Sequence, residues 1–217
     1  MKFCSECATP VEFKIPAGDH LPRHICPACE TIFYSNPRII AGCLPIWEDK
    51  VLLCRRNIEP RFGYWTLPAG FMENGETTEQ AAMRETWEEA EANVEVISLY
   101  THTSIVHVNQ LQLFYLAKLT APSFAPTSES SEVALFSESE IPWDELAFPT
   151  VTNALKLFFK ERAEGGKYGF HRIDIDRNNP ENNRSVTQTE SQFEKLELET
   201  LSSWRVLKRV TLTRSQR

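Results

Sequence analysis

The stretch from Gly70 to Ala92, GFMENGETTEQAAMRETWEEAEA, constrains this chain more than any other. Its first half holds Gly70 and Gly75, which let a backbone turn sharply and pass close to a ligand. In its second half Glu85, Glu88 and Glu89 stand at i, i+3 and i+4, so a helix sets all three on one face. Like charges at those spacings destabilise an isolated helix, and Arg84 is the only basic residue between Met72 and Glu95. The grouping calls for a compensating cation. Carboxylate oxygens with no histidine or cysteine beside them suit hard ions, Mg²⁺ first and Mn²⁺ second. The bland alternative is a solvated acidic face. Thr77 or Thr78 is placed to cap the helix, and Glu76 to pair with Arg84 across the loop.

Four of the six cysteines are patterned. Cys4 and Cys7 form one CxxC, Cys26 and Cys29 another, with eighteen residues between the pairs. Two such turns bring four thiolates together, the layout of a zinc ribbon. Four thiolates leave no open coordination position, so this Zn²⁺ is expected to be structural. The alternative is two pairs of free or redox thiols. Cys43 and Cys54 lie in apolar runs and read as buried core thiols.

A net charge of −7 and a pI near 5.4 argue against a broad basic face for nucleic acid, so no nucleic-acid partner is expected. They leave room for a small nucleotide met by a metal and a few arginines. No apolar run reaches the length of a membrane span, and MKFCSECATP lacks the apolar core of a secretory signal. A cytoplasmic location is the expectation.

Along the chain, residues 1–34 read as the zinc module, 35–164 as the main domain and 165–217 as a polar, partly disordered tail. We find no internal repeat. Strands are expected on both sides of a Glu48–Asp49 turn, over VEVISLYTHTSIVHV and NQLQLFYLAKL, and again over VALFSESEIP. Leu111, Leu113, Tyr115 and Ala117 alternate in the third of these. Pro149 opens an amphipathic helix that Gly165 and Gly166 end. The segment ESQFEKLELETLSSWRVLKRV has helix-like apolar spacing. It is read as a weakly ordered terminus or a docking element.

The spacing Gly70, five residues, Glu76, seven residues, then Arg84-Glu85-Thr86-Trp87-Glu88-Glu89 resembles the Nudix box. Thr86 stands where that box usually has an aliphatic residue and Glu91 where it has glycine. Loss of that glycine leads us to expect the helix to run on towards Asn93. The resemblance implies an α/β fold, the Nudix α/β/α sandwich with a mixed sheet, and hydrolysis of a nucleoside diphosphate linked to another group. It implies Mg²⁺ or Mn²⁺ held by Glu85, Glu88, Glu89 and the Gly70 carbonyl, polarising the pyrophosphate and acidifying water. Arg84 belongs to the same catalytic set. The general base is Glu88, Glu89, or a later-loop residue, Glu129 or Glu132, both of which are otherwise simply solvated.

A CxxC…CxxC module ahead of a Nudix domain resembles two groups, the NADH pyrophosphatases and a group related to plant FAD pyrophosphatases. The first carries a Pro- and aromatic-rich SQPWPFP-like motif after the box; YTHTSIVHVNQLQLFYLAKL has none. FAD, cut to FMN and AMP, is therefore the expected substrate, with ADP-ribose or NAD(H) as the enzymatic alternative and a non-catalytic binding module as the alternative of another class. Arg55, Arg56 and Arg61 are candidates for phosphates, and Trp65, Phe71, Tyr64, Phe62, Trp143 and Phe148 for ring stacking. His102 and His107 are read as contacting substrate or facing solvent. A homodimer is expected on resemblance alone.

Overall fold

The computed structural model describes residues 1–188 of the 217, so the segment ESQFEKLELETLSSWRVLKRV lies outside the described residues. The chain divides into two compact units after Pro37.

In the first unit, strands β1 (Glu12–Lys14), β2 (Arg23–Ile25) and β3 (Ile32–Phe33) form an antiparallel sheet in the order β1-β2-β3. Each CxxC is a knuckle of the same build. Ala8 donates its N–H to the Cys4 carbonyl and Glu30 to the Cys26 carbonyl, both at 3.0 Å. Ala8 and Glu30 both sit at φ 59°, the left-handed region that lets the chain reverse. The expected absence of an internal repeat is corrected here: CSECAT and CPACET fold alike.

The second unit is a helix–sheet–helix sandwich. Its strands are β4 (Arg38–Trp47), β5 (Lys50–Arg56), β6 (Trp65–Thr66), β7 (Ala69–Phe71), β8 (Val94–Ile105), β9 (Gln110–Leu119), β10 (Ser130–Phe136), β11 (Phe170–Ile175) and β12 (Arg184–Gln188). The long path runs β10-β5-β4-β9-β8-β11-β12, with β6 on β5 and β7 on β4. β4 and β9 are parallel, as are β8 and β11, and the other pairs are antiparallel, so the sheet is mixed. Helix α1 (Thr78–Ala90) and helix α2 (Pro149–Ala163) cover its two faces.

The period of two in the strands decides which side chain meets which helix. Leu113, Tyr115 and Ala117 of β9 and Ala41 and Cys43 of β4 pack with Ala81 and Ala82 of α1. Their alternate neighbours Phe114, Leu116 and Leu44 pack with Val151, Ala154, Leu155 and Phe158 of α2. Small residues on both sides bring α1 close to the sheet. Gly42 lets the Pro68–Ala69 backbone lie directly on β4, since a Cβ there would strike Ala69 and the Pro68 carbonyl.

Two expectations are corrected. Helix α1 stops at Ala90, because Glu91 itself takes the left-handed conformation (φ 48°, ψ 30°) and returns its N–H to the Trp87 carbonyl at 2.7 Å. Residues 165–188, read as part of a polar tail, instead supply β11 and β12. In this polar stretch the buried His171 lies 3.1 Å from the Glu161 carboxylate and 2.9 Å from the Thr187 hydroxyl, and Ile173 is buried beside it. Tyr100 donates to the other Glu161 oxygen at 2.8 Å. Among the described residues no helix is long and apolar enough to cross a membrane.

Candidate active site

The site is assembled from β7, the loop after it, α1 and the loop before β10. Thr77 caps α1 by accepting the Gln80 N–H at 3.1 Å, and the Gln80 side chain accepts the Thr77 N–H at 2.8 Å, a reciprocal capping box. Arg84 then fastens the loop to the helix. Its Nε and Nη2 donate to the two Glu76 oxygens at 3.0 and 2.7 Å, and Nη2 also reaches the Phe71 carbonyl at 3.2 Å. Arg84 beside Glu76 holds that carboxyl down at about 2. The Nη1 of Arg84 bridges Glu85 and Glu88 at 2.7 and 2.8 Å.

The three glutamates share a face but not an environment. Glu88 is exposed, whereas Glu85 and Glu89 are 9% and 5% exposed. Burial, opposed by the Ala69 N–H 3.2 Å away and reinforced by the charge of Glu85, pushes the Glu89 carboxyl up to about 8. Burial also raises Glu85, against the pull of Arg84. A carboxyl pair so disfavoured in its ionised form is suited to a cation. The Gly70 backbone lies so close to Glu85 that a Cβ would overlap the carboxylate. That cradle of hard oxygens with no nitrogen or sulfur donor fits Mg²⁺ or Mn²⁺. The carboxylates do not converge as tightly as the thiolates. Among the described residues only Cys4, Cys7, Cys26 and Cys29 bring three or more such ligand atoms all within 4.8 Å of one another.

In that cluster the Sγ–Sγ separations are 3.4 Å for Cys7–Cys26 and 3.6 Å for Cys4–Cys29 and Cys7–Cys29. A tetrahedral S₄ site with Zn–S of about 2.3 Å needs separations of about 3.8 Å, so the four sulfurs fit Zn²⁺.

Structure separates the remaining candidates. Glu129 stands near the helix glutamates, where its charge adds to the raising of both Glu85 and Glu89. Glu132 pairs with Arg55 at 2.5 Å. Arg56 faces Glu89, lowering it against burial, lies over the Phe148 ring at 5.3 Å and donates to the Pro60 carbonyl at 2.8 Å. Phe62, Tyr64 and Phe71 are exposed, with Arg61 over Tyr64 and Arg38 over Phe71. Trp65 is corrected: it is 7% exposed and packs edge-on against Phe136 in the core beneath α2, so no ring face is offered to a ligand. Trp143 packs against Phe159 beside the same core. His102 and His107 stand beside the added strands, His102 near the Phe170 ring and His107 accepting the Arg177 N–H at 3.4 Å. Cys43 and Cys54 are fully buried, and burial raises both thiols, Cys43 to about 11.

Asn57, Thr127 and the Ala69 N–H are not among the sequence candidates. The Ala69 N–H and the Thr127 hydroxyl contact Glu89, and the Asn57 amide contacts the loop before β10; these are contacts between groups far apart in sequence that only the fold brings together. The one signal for Thr127 was its place in a Pro/Ser/Thr loop, where hydroxyls commonly bind nearby backbone.

A family model described as Nudix N-terminal, a zinc ribbon, matches residues 2–35, and a NUDIX domain model matches residues 36–158. The NAD-capped RNA hydrolase NudC of Chromobacterium violaceum is 32% identical over 134 residues, which are 61% of this chain and 48% of that protein. The chain thus spans about half the length of the curated relatives it matches. A NUDIX hydrolase crystal structure from Nitrosomonas europaea is 52% identical with a TM-score of 0.79, covering 82% of this chain and 100% of that one. An ADP-ribose pyrophosphatase from Streptococcus suis, at 22% identity and a TM-score of 0.51, covers 65% of this chain and 100% of its own and shares the fold. The helix of glutamates, the four-sulfur cluster and these matches lead to one conclusion: the chain belongs to the Nudix hydrolases, with a Nudix-type zinc ribbon ahead of the Nudix domain.

Proposed function

We propose that the Nudix domain hydrolyses the pyrophosphate of a dinucleotide with Mg²⁺ or Mn²⁺ as cofactor, and that FAD, cut to FMN and AMP, is its first substrate. The observation that carries the chemistry is the single α1 face of Glu85, Glu88 and Glu89, two of the three buried, closed against the Gly70 backbone. These three side chains and the Gly70 carbonyl would hold the ion. When bound, it supplies charge neutralisation of the phosphate oxygens and acidifies water. Arg84 keeps Glu85 and Glu88 in place from the loop side. Arg56, close to Glu89 on the opposite side, meets a phosphate oxygen. Glu129 takes the proton of the attacking water, since it faces the metal glutamates while Glu132 is spent on Arg55. The four ribbon thiolates would give a zinc ion a complete sulfur shell and leave it a structural role.

Support for FAD over a nicotinamide nucleotide comes from Tyr100–Leu119. This segment runs as the long strands β8 and β9 around one short turn, with no proline or Pro-aromatic loop. The second reading, NAD(H) or the NAD cap of an RNA, is favoured by the names of the curated relatives. The net charge of −7 weighs against a polynucleotide. The test is to offer FAD, NADH, ADP-ribose, an NAD-capped RNA and one deoxynucleoside triphosphate at equal concentration with Mg²⁺, and to separate the products. FMN and AMP are expected to form fastest. Faster release of NMNH from NADH, or of NMN from the NAD cap, would assign the nicotinamide substrate instead, and no product from any of the five would overturn the hydrolytic reading.

A further inference from the structure

We infer that Asn57 and Thr127 are positioning residues that hold Glu129 against the α1 glutamates, an inference that rests on Glu129 being the general base. The last turn of a helix leaves carbonyls without partners, and α1 has no basic residue there to meet them. The loop before β10 meets them instead. Ala125 donates its N–H to the Ala90 carbonyl at 2.8 Å, and the Thr127 hydroxyl donates to the Glu89 carbonyl at 3.4 Å. The loop is thereby fastened to the turn of helix that carries Glu89.

The same Thr127 oxygen accepts the Glu129 N–H at 3.2 Å, and the Thr127 N–H reaches the Ser130 carbonyl at 2.9 Å, which folds residues 127–130 into a tight turn. From the other side Asn57, the first residue after β5, donates its side-chain amide to the Ser128 carbonyl at 3.0 Å. Its own N–H goes to the Glu129 carbonyl at 2.8 Å. Glu129 is thus held at its N–H by Thr127 of its own loop, which is tied to α1, and at its carbonyl by Asn57 just after β5. The β5–β10 register then slips between Ser130 and Glu132, which places Glu132 opposite Arg55. Such a slip re-aims side chains near sites. Glu129 itself is exposed, so its backbone anchors, not packing, limit where its carboxylate can go. A displacement of about 1 Å in a catalytic group is enough to cost roughly 100-fold in rate.

The test measures kcat, KM and Tm at saturating Mg²⁺ on the best substrate of the panel. The variants are Glu129→Gln, Asn57→Ala, Thr127→Ala, Thr127→Val and Thr127→Ser, with each of Asn57→Ala and Thr127→Val also combined with Glu129→Gln. Glu129→Gln should lower kcat by about 10²–10⁴-fold. Asn57→Ala and Thr127→Val, which keeps the shape without the hydroxyl, should lower kcat by about 10–100-fold with KM within about twofold. Thr127→Ser should recover most of the rate. In the Glu129→Gln background the same changes should cost less than about twofold, because there is no longer a base to position. Equal losses in both backgrounds, or a full rate in Asn57→Ala and Thr127→Val beside an impaired Glu129→Gln, would overturn the inference. A wild-type rate in Glu129→Gln would instead remove the assignment of the base, and the inference with it.

Discussion

The ribbon and the α1 face are two answers to the same problem of gathering negative ligands around a cation. In the ribbon, two knuckles draw four sulfurs to within 4.8 Å of one another, and little besides the short sheet surrounds them. At α1 the carboxylates stay apart. Glu85 and Glu88 are drawn to Arg84 and Glu89 turns to the Ala69 N–H. The difference follows from what each unit has to spend. The first 37 residues bury almost no core, so the metal must be part of their fold. The second unit has a two-faced core of its own and can hold its ligands in an open arrangement.

Removing the ion from each region should therefore break different things. The largest effect is expected from stripping zinc, which supplies about 10 kcal/mol or more in isolated zinc-binding modules. Melting curves should fall on treatment with a strong chelator, recover with added Zn²⁺ and stay low with excess Mg²⁺. Superimposable curves with and without zinc would mean that the thiolates do not hold the ribbon together through a metal. Next comes Glu88→Gln. Glu88 is exposed, so folding should be retained while turnover falls by about 10³-fold, roughly 4 kcal/mol of barrier. A loss of Tm in place of turnover would make the glutamate face structural, like the ribbon.

The smallest effect sharpens the contrast through pH. Glu89 sits at about 8, above its unfolded value of about 4.3. A carboxyl raised on folding stabilises the fold while protonated. Its contribution is complete below pH ~4.3 and is lost as pH climbs to about 8, at on the order of 1 kcal/mol per pH unit. Metal-free protein should lose stability over that window, and Glu89→Gln should flatten the slope. Identical slopes in the two proteins would show that burial of Glu89 does not govern it.

What could be read along the chain was whatever depends on near neighbours. Thr77 and Gln80 announce a helix start, the two CxxC turns announce a sulfur site, and the i, i+3, i+4 glutamates announce a charged face. The alternation in β9 was legible too, although its even positions proved as buried as its odd ones because helices cover both faces. What could not be read depends on partners far away in sequence. His171 can be buried in a polar stretch because Glu161, Tyr100 and Thr187, distant in sequence, surround it. Trp65, close to Arg61, Phe62 and Tyr64 in the chain, goes into the core because Phe136 and the helix α2 side of the sheet receive it.

Glu91 shows the limit from the other direction. Position alone argued that a helix without its glycine would continue, yet the chain pays for a left-handed glutamate so that the next strand can begin. The sequence by itself determined the Nudix domain, the zinc ribbon and the glutamates, because spacing on a helix or a knuckle is local geometry. Only the tertiary structure shows the different surroundings of Glu129 and Glu132, three residues apart in sequence: the charge of the first acts on the α1 glutamates, and the second pairs with Arg55.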